Sequence, residues 1–110
     1  MKPALRCSRD VILRTPQWAA AQHFYGTVLG LPVSHSGEAI VGFEAGAIQL
    51  YVERGAPHGP VFDFLVPDVE AAKQRLLAAG CTLVEEDATV PRCYLRDPFG
   101  LVFNLGLRAS

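Results

Sequence analysis

The pattern of strand, helix and turn signals in this chain occurs twice, and that duplication limits what it can fold into. Val11-Ile12-Leu13-Arg14-Thr15 is a β-rich run stopped by Pro16. Thr15 is a candidate N-cap with Pro16 in the first turn, and residues 18–29 read as a helix with Ala20, Phe24 and Val28 on one side. Gly30 and Pro32 end that helix. Strands are predicted at about 33–36, 39–43 and 47–52, with turns at Gly37 and at Glu44-Ala45-Gly46. After residues 55–60, a Gly- and Pro-rich linker, the pattern restarts. Residues 61–66 form a strand, Asp68 is a good N-cap, residues 69–79 a helix, and Gly80 its stop. Strands follow at about 82–86, 92–96 and 101–107, the last two joined by Asp97-Pro98-Phe99-Gly100. Pro16 falls on Pro67 and Ala21 on Ala72; near the unit ends, Gln49 is matched to Asn104 and Leu50 to Leu105. The expectation is one α+β domain of two βαβββ modules, about 8–54 and 61–108. Neither module is large enough to bury its own sheet alone.

Composition narrows the partners. The 110 residues are 50% hydrophobic and 19% charged, with net charge −1 and no basic stripe, so neither nucleic acid nor a membrane surface is expected. No apolar run is long enough to span a bilayer, and the first ten residues lack the apolar core of a signal peptide. Cys7, Cys81 and Cys93 are odd in number and lack CxxC spacing, so reduced thiols in a cytoplasmic protein are expected.

Each strand has two faces at period two. Val11 and Leu13, Leu50 and Val52, Phe64 and Val66, and Phe103 and Leu105 form an apolar set that packs under the helices, with Ile48, Phe62 and Leu107 in the same phase. The opposite set is mixed: Asp10, Ile12 and Arg14; Gln49 and Tyr51; Val61, Asp63 and Leu65; Val102, Asn104 and Gly106. Such a face is either solvated or the lining of a ligand cavity, and the alternation alone does not choose.

FYGTVLGLPV at 24–33, FLVPDVEAAKQRLLAAG at 64–80 and RDPFGLVFNL at 96–105 resemble, in this order, signatures of the vicinal oxygen chelate superfamily of glyoxalases, extradiol dioxygenases and bleomycin-resistance proteins. The resemblance implies a strongly curved mixed sheet around a ligand cup, a homodimer, and in the family's enzymes a metal held by up to four side chains. Those four positions fall here on Asp10, Gln49, Val61 and Asn104. Valine has no donor atom, amide oxygens are weak neutral ligands, and no histidine stands at any of the four. A transition metal wants imidazole and carboxylate, so no metal and no cofactor are expected. His23, His35 and His58 show no ligand spacing.

What remains is a small-molecule site. Asp10, Ile12, Arg14, Phe43, Gln49, Tyr51, Asp63, Tyr94, Arg96 and Asn104 are the candidate ligand-binding residues. The carboxylates suit an amine, the guanidiniums a carboxylate or phosphate, and the rings a planar body. Asp10 and Asp63 are candidates for an acid/base pair, with plain hydrogen bonding or solvation of each as the other reading. The reading is a metal-free binding protein like the bleomycin-resistance branch, sequestering a small, partly aromatic ligand, although net charge −1 does not suit bleomycin itself. The alternatives are a glyoxalase-type lyase or dioxygenase with an atypical metal site, and an oligomeric domain with no ligand.

Overall fold

Parallel pairing of the first strand with the last organises each half of the chain. The computed structural model describes residues 5–108. They contain β1 (Arg6–Thr15), α1 (Trp18–His23), a π-helical turn (Phe24–Val28), β2 (Val33–Ser36), β3 (Ile40–Glu44) and β4 (Gln49–Arg54). Then come β5 (His58–Val66), α2 (Val69–Ala78), β6 (Thr82–Asp87), β7 (Arg92–Arg96) and β8 (Val102–Leu107). The described residues fall into two compact units: 9–60, here module one, and 5–8 with 61–108, here module two. The α+β class and the doubled βαβββ order are both present. No helix among the described residues is long and apolar enough to cross a membrane.

In module one the strand order is β2-β3-β4-β1, with β1 parallel to β4 and the other neighbours antiparallel. Val41, Phe43 and Val52 are its buried core, covered by Trp18, Ala21, Tyr25, Leu31 and Leu50. The Trp18 indole N–H donates to the Val52 carbonyl at 3.0 Å, which ties the helix start to β4. The Tyr25 and Phe43 rings lie 6.0 Å apart. The predicted single helix is interrupted: α1 gives way after His23 to the π-helical turn, where the Leu29 N–H reaches back to the Phe24 carbonyl. Gly26 sits there against Phe43, and a Cβ would lie 3.3 Å from its ring. Thr15 does not cap the helix. Its hydroxyl instead accepts from the Gln17 N–H at 3.1 Å, and Gln17 holds the N-cap position with no side-chain bond.

Module two has the order β5-β8-β7-β6, with β5 parallel to β8. Its core is Val66, Ala72, Cys81, Cys93, Leu95, Phe103 and Leu105. Asp68 caps α2 by accepting from the Ala71 N–H at 3.0 Å, and Gly80 turns the chain at φ +109°. β5 starts at His58, so half of the expected linker is strand. Ile48, Phe62 and Leu107 were expected under the helices but are exposed.

Three substitutions separate these contributions. Phe43→Ala should cost about 3–5 kcal/mol in urea unfolding, the usual effect of emptying an aromatic core site. Asp68→Ala should cost about 1 kcal/mol, as loss of one N-cap does, whereas Gln17→Ala should stay within about 0.5 kcal/mol.

Candidate functional site

On the helix-free side of each sheet, strand pairing lines up one row of four residues. In module one it is His35, Gly42, Tyr51 and Ile12, taken across β2, β3, β4 and β1. In module two it is Glu85, Tyr94, Asn104 and Asp63, across β6, β7, β8 and β5. The alternate residues on the same strands are the core, which puts both rows on the other face. Each row begins at the same irregularity, between Val33 and His35 in one module and between Leu83 and Glu85 in the other. The counterpart of Asn104 is therefore Tyr51, and that of Gln49 is Val102. Matching the two amides by type is two residues out of step with the strand pairing.

In module one, Asp10 stands opposite Gln49, Ile12 opposite Tyr51 and Arg14 opposite Glu53. The Gln49 amide N–H donates to the Tyr51 hydroxyl. Arg14 forms an ion pair with Glu53, its Nε 3.4 Å from the carboxylate, and its stem lies over Gly55. Gly42 is what lets the Tyr51 ring lie flat: a Cβ there would sit 2.9 Å from Tyr51 Cε1, 3.1 Å from Ser34 Oγ and 3.2 Å from His35 Cβ. The His35 ring meets the same tyrosine edge-on at 6.1 Å. Phe43 does not belong to this face. It is 1% exposed in the core, because its neighbour Gly42 takes the opposite phase on β3.

In module two, Asp63 Oδ1 accepts from the Asn104 amide at 2.9 Å, and Asp63 Oδ2 accepts from the Ser8 hydroxyl at 3.0 Å. The Asn104 oxygen accepts the Cys93 N–H at 2.9 Å. Tyr94 is only 3% exposed. The Arg92 guanidinium lies 5.3 Å from its ring centre while pairing with Glu85 at 2.7 Å. Arg96, exposed at the end of β7, stands opposite Val102 and Thr82. Burial raises the Cys93 thiol above its usual range, with Glu86 adding to the rise, and burial does the same at Cys81. Both stay protonated at neutral pH, so neither is an activated nucleophile.

The metal positions do not fit a metal. Val61 is 1% exposed and has no donor. The Asn104 amide is committed at both ends, to Cys93 and to Asp63. Asn104 stands opposite Asp63, not Val61. No group of three or more His, Cys, Asp or Glu among the described residues is arranged to hold an ion.

Sequence reasoning missed Ser8, His35, Gly42, Glu85, Arg92 and Gly106. Period-two phasing places Gly42 and Gly106 on the right face, but nothing local ties Ser8 to a residue 55 positions away. A cleft of about 490 Å³ in module two opens beside the start of α2, lined by Pro67, Val69, Pro91, Cys93, Leu105 and Leu107 among others. It contains none of the predicted site residues and reaches the helix-side core.

The Gly42–Tyr51 packing is testable by a double-mutant cycle. Gly42→Ala should cost about 1–3 kcal/mol by over-packing. Combined with Tyr51→Ala it should show a coupling of at least about 0.5 kcal/mol in the sense of relief.

The solved structures similar to this chain agree on the fold. A glyoxalase-like superfamily member from Vibrio splendidus 12B01, from the glyoxalase/bleomycin resistance protein/dioxygenase group, is 22% identical with TM-score 0.63, over 92% of this chain and 97% of that one. A hypothetical protein from Bacillus halodurans C-125 has TM-score 0.69 at 12% identity, over 98% and 97%. Homoprotocatechuate 2,3-dioxygenase from Brevibacterium fuscum, solved as an anaerobic complex with 3,4-dihydroxyphenylacetate, has TM-score 0.67 at 24% identity, over 98% of this chain but only 38% of the dioxygenase. At these identities the likeness is one of fold. No curated protein matches the sequence. The sequence model of the glyoxalase-like domain matches residues 10–106, and the chain belongs to that family.

Proposed function

We propose that this protein binds a small, partly aromatic molecule on its polar-flecked, helix-free sheet face and does so without a metal, as a sequestering protein akin to the bleomycin-resistance branch of its superfamily. The observation that carries this reading is the state of Asn104. Its oxygen is bonded to the Cys93 N–H and its nitrogen to Asp63. That oxygen is a neutral amide acceptor with one lone pair already taken by a backbone N–H, which makes it a poor ligand for a transition metal. With Val61 donorless, module two offers no competent ligand at either family position. A face with a few placed polar groups beside Leu65 and Val102 in module two is instead the composition of an organic-ligand site. The free thiols Cys7, Cys81 and Cys93 suit a reducing, cytoplasmic setting.

The test is thermal melting with Ni²⁺, Zn²⁺, Fe²⁺, Mn²⁺ and Mg²⁺, beside calorimetric titration with planar amine-bearing compounds. A ligand that binds only the native state must raise the melting temperature. No metal should shift the melt, and at least one organic compound should give saturable heat. A saturable rise with one metal would favour the glyoxalase- or dioxygenase-type enzyme.

A homodimer belongs to the same reading. Phe24, Val28, Leu29 and Val33 are 47%, 61%, 55% and 58% exposed, a neighbouring set of large apolar side chains of the kind that marks association surfaces. Light scattering at micromolar concentration should give twice the chain mass, and Val28→Lys with Leu29→Lys should shift it to the monomer.

A further inference from the structure

We propose that the cleft beside the start of α2 is a second binding site, separate from the helix-free sheet face, for a neutral aromatic molecule of one or two rings.

The cleft lies wholly within module two, on the helix side of its sheet. Its floor is Cys93 on β7 and Leu105 on β8, core members that are 4% and 3% exposed. Pro67 and Val69 stand on one side, and Ala88 and Pro91 of the β6–β7 turn on the other. Leu107 forms the rim. It shares the phase of Phe103 and Leu105 on β8, yet it is 69% exposed, a large apolar side chain in core phase that no described residue covers. An occupant of the cleft takes that surface out of water.

Size and shape suit a small molecule. The volume is about 490 Å³, inside the range of about 300–1,000 Å³ usual for ligand sites. An apolar cavity of about 150 Å³ holds benzene, so two fused rings fit. The recess is concave and reaches core side chains, which a flat association surface does not.

The charged side chains that border the cleft are already engaged. Asp68 caps α2 through the Ala71 N–H, Glu86 pairs with Lys73 at 2.9 Å, and Arg92 pairs with Glu85 at 2.7 Å. An ion that entered would trade water for hydrocarbon without an uncommitted counter-charge, so the ligand is neutral. Cys93 narrows the choice further. Among the described residues its sulfur makes no hydrogen bond. Sulfur packs favourably against aromatic rings, and an S–H is too weak a donor to replace the water stripped from a strongly polar group. A ring laid on this floor meets the sulfur on one strand and a leucine on the next.

Amide NMR on the ¹⁵N-labelled chain, titrated with 2-naphthol, 2-naphthoate, 2-naphthylmethylammonium and the saturated decahydro-2-naphthol, tests this. 2-Naphthol should move the amides of Val69, Ala88, Cys93 and Leu107 saturably, at least about tenfold more tightly than either charged analogue. The saturated alcohol should bind about threefold more weakly, the scale of one sulfur–aromatic contact. Leu107→Asp puts a charge on the rim and Ala88→Trp puts bulk in the mouth. Both positions are exposed, both variants should keep the dispersed spectrum of the folded chain, and each should lose at least about tenfold in 2-naphthol affinity. Shifts confined to Gly42 and Tyr51 would place the probe on the helix-free face and overturn the second site while leaving small-molecule binding intact. Silence from 2-naphthol, or equal binding by a charged analogue or the saturated alcohol, also overturns the proposal. So does a fall from dimer to monomer mass in light scattering of Leu107→Asp, which would assign the cleft to a second copy of the chain.

Discussion

The parallel pairing of each module's opening strand with its closing strand governs everything else in this structure. β1 on β4 and β5 on β8 bring together segments about forty residues apart and set which alternate residues meet the helix. A slip of one residue would turn Phe103 and Leu105 outward and carry Asn104 into the core. Burial prevents that slip. Leu95 and Val52 are fully enclosed, and the Phe64 and Phe103 rings pack 4.8 Å apart. Apolar burial on one face therefore holds the polar residues of the other face in register, and the site is a consequence of the core.

On that second face the two modules have diverged along equivalent rows. Module one keeps a tyrosine on its closing strand, laid over a glycine on the neighbouring strand. Module two places its tyrosine on the neighbouring strand and an asparagine on the closing one, hydrogen-bonded to an aspartate where module one has Ile12. The first row offers an aromatic surface, and the second an oriented carboxylate. Duplicated sequence has produced one fold twice and two different chemistries.

The duplication itself was legible because turn chemistry and apolar phase are local signals. Gly30 and Gly80, both at positive φ, and the Asp68 cap stand where the sequence predicts them. The same phase separated Leu50 from Gln49 and Leu105 from Asn104. Two kinds of information were not local. One was the register between modules. Likeness of residue type matched Gln49 to Asn104, whereas strand pairing matches Tyr51 to it. The other was the fate of a residue at a strand centre. The ring of Phe43 suits a ligand surface, yet one position of phase on β3 sends it under the helix and leaves Gly42 on the other face. The Ser8–Asp63 bond was invisible for a third reason: it depends on which unit the first strand's opening residues join.

The loss of metal ligands and the presence of the Asp63–Asn104 pair belong together. A side chain at the family position that coordinates an ion must offer it a lone pair of a strong donor. Asn104 offers a neutral amide oxygen that already accepts a backbone N–H, and its nitrogen is used within module two. A site with a cation at its centre attracts oxygen ligands and polarises them. A site with an oriented carboxylate at its centre attracts N–H donors instead. On the metal-free reading proposed for this chain, the sign of the charge at the site, more than the count of weak ligands, separates a holding site from a Lewis-acid one on a shared fold.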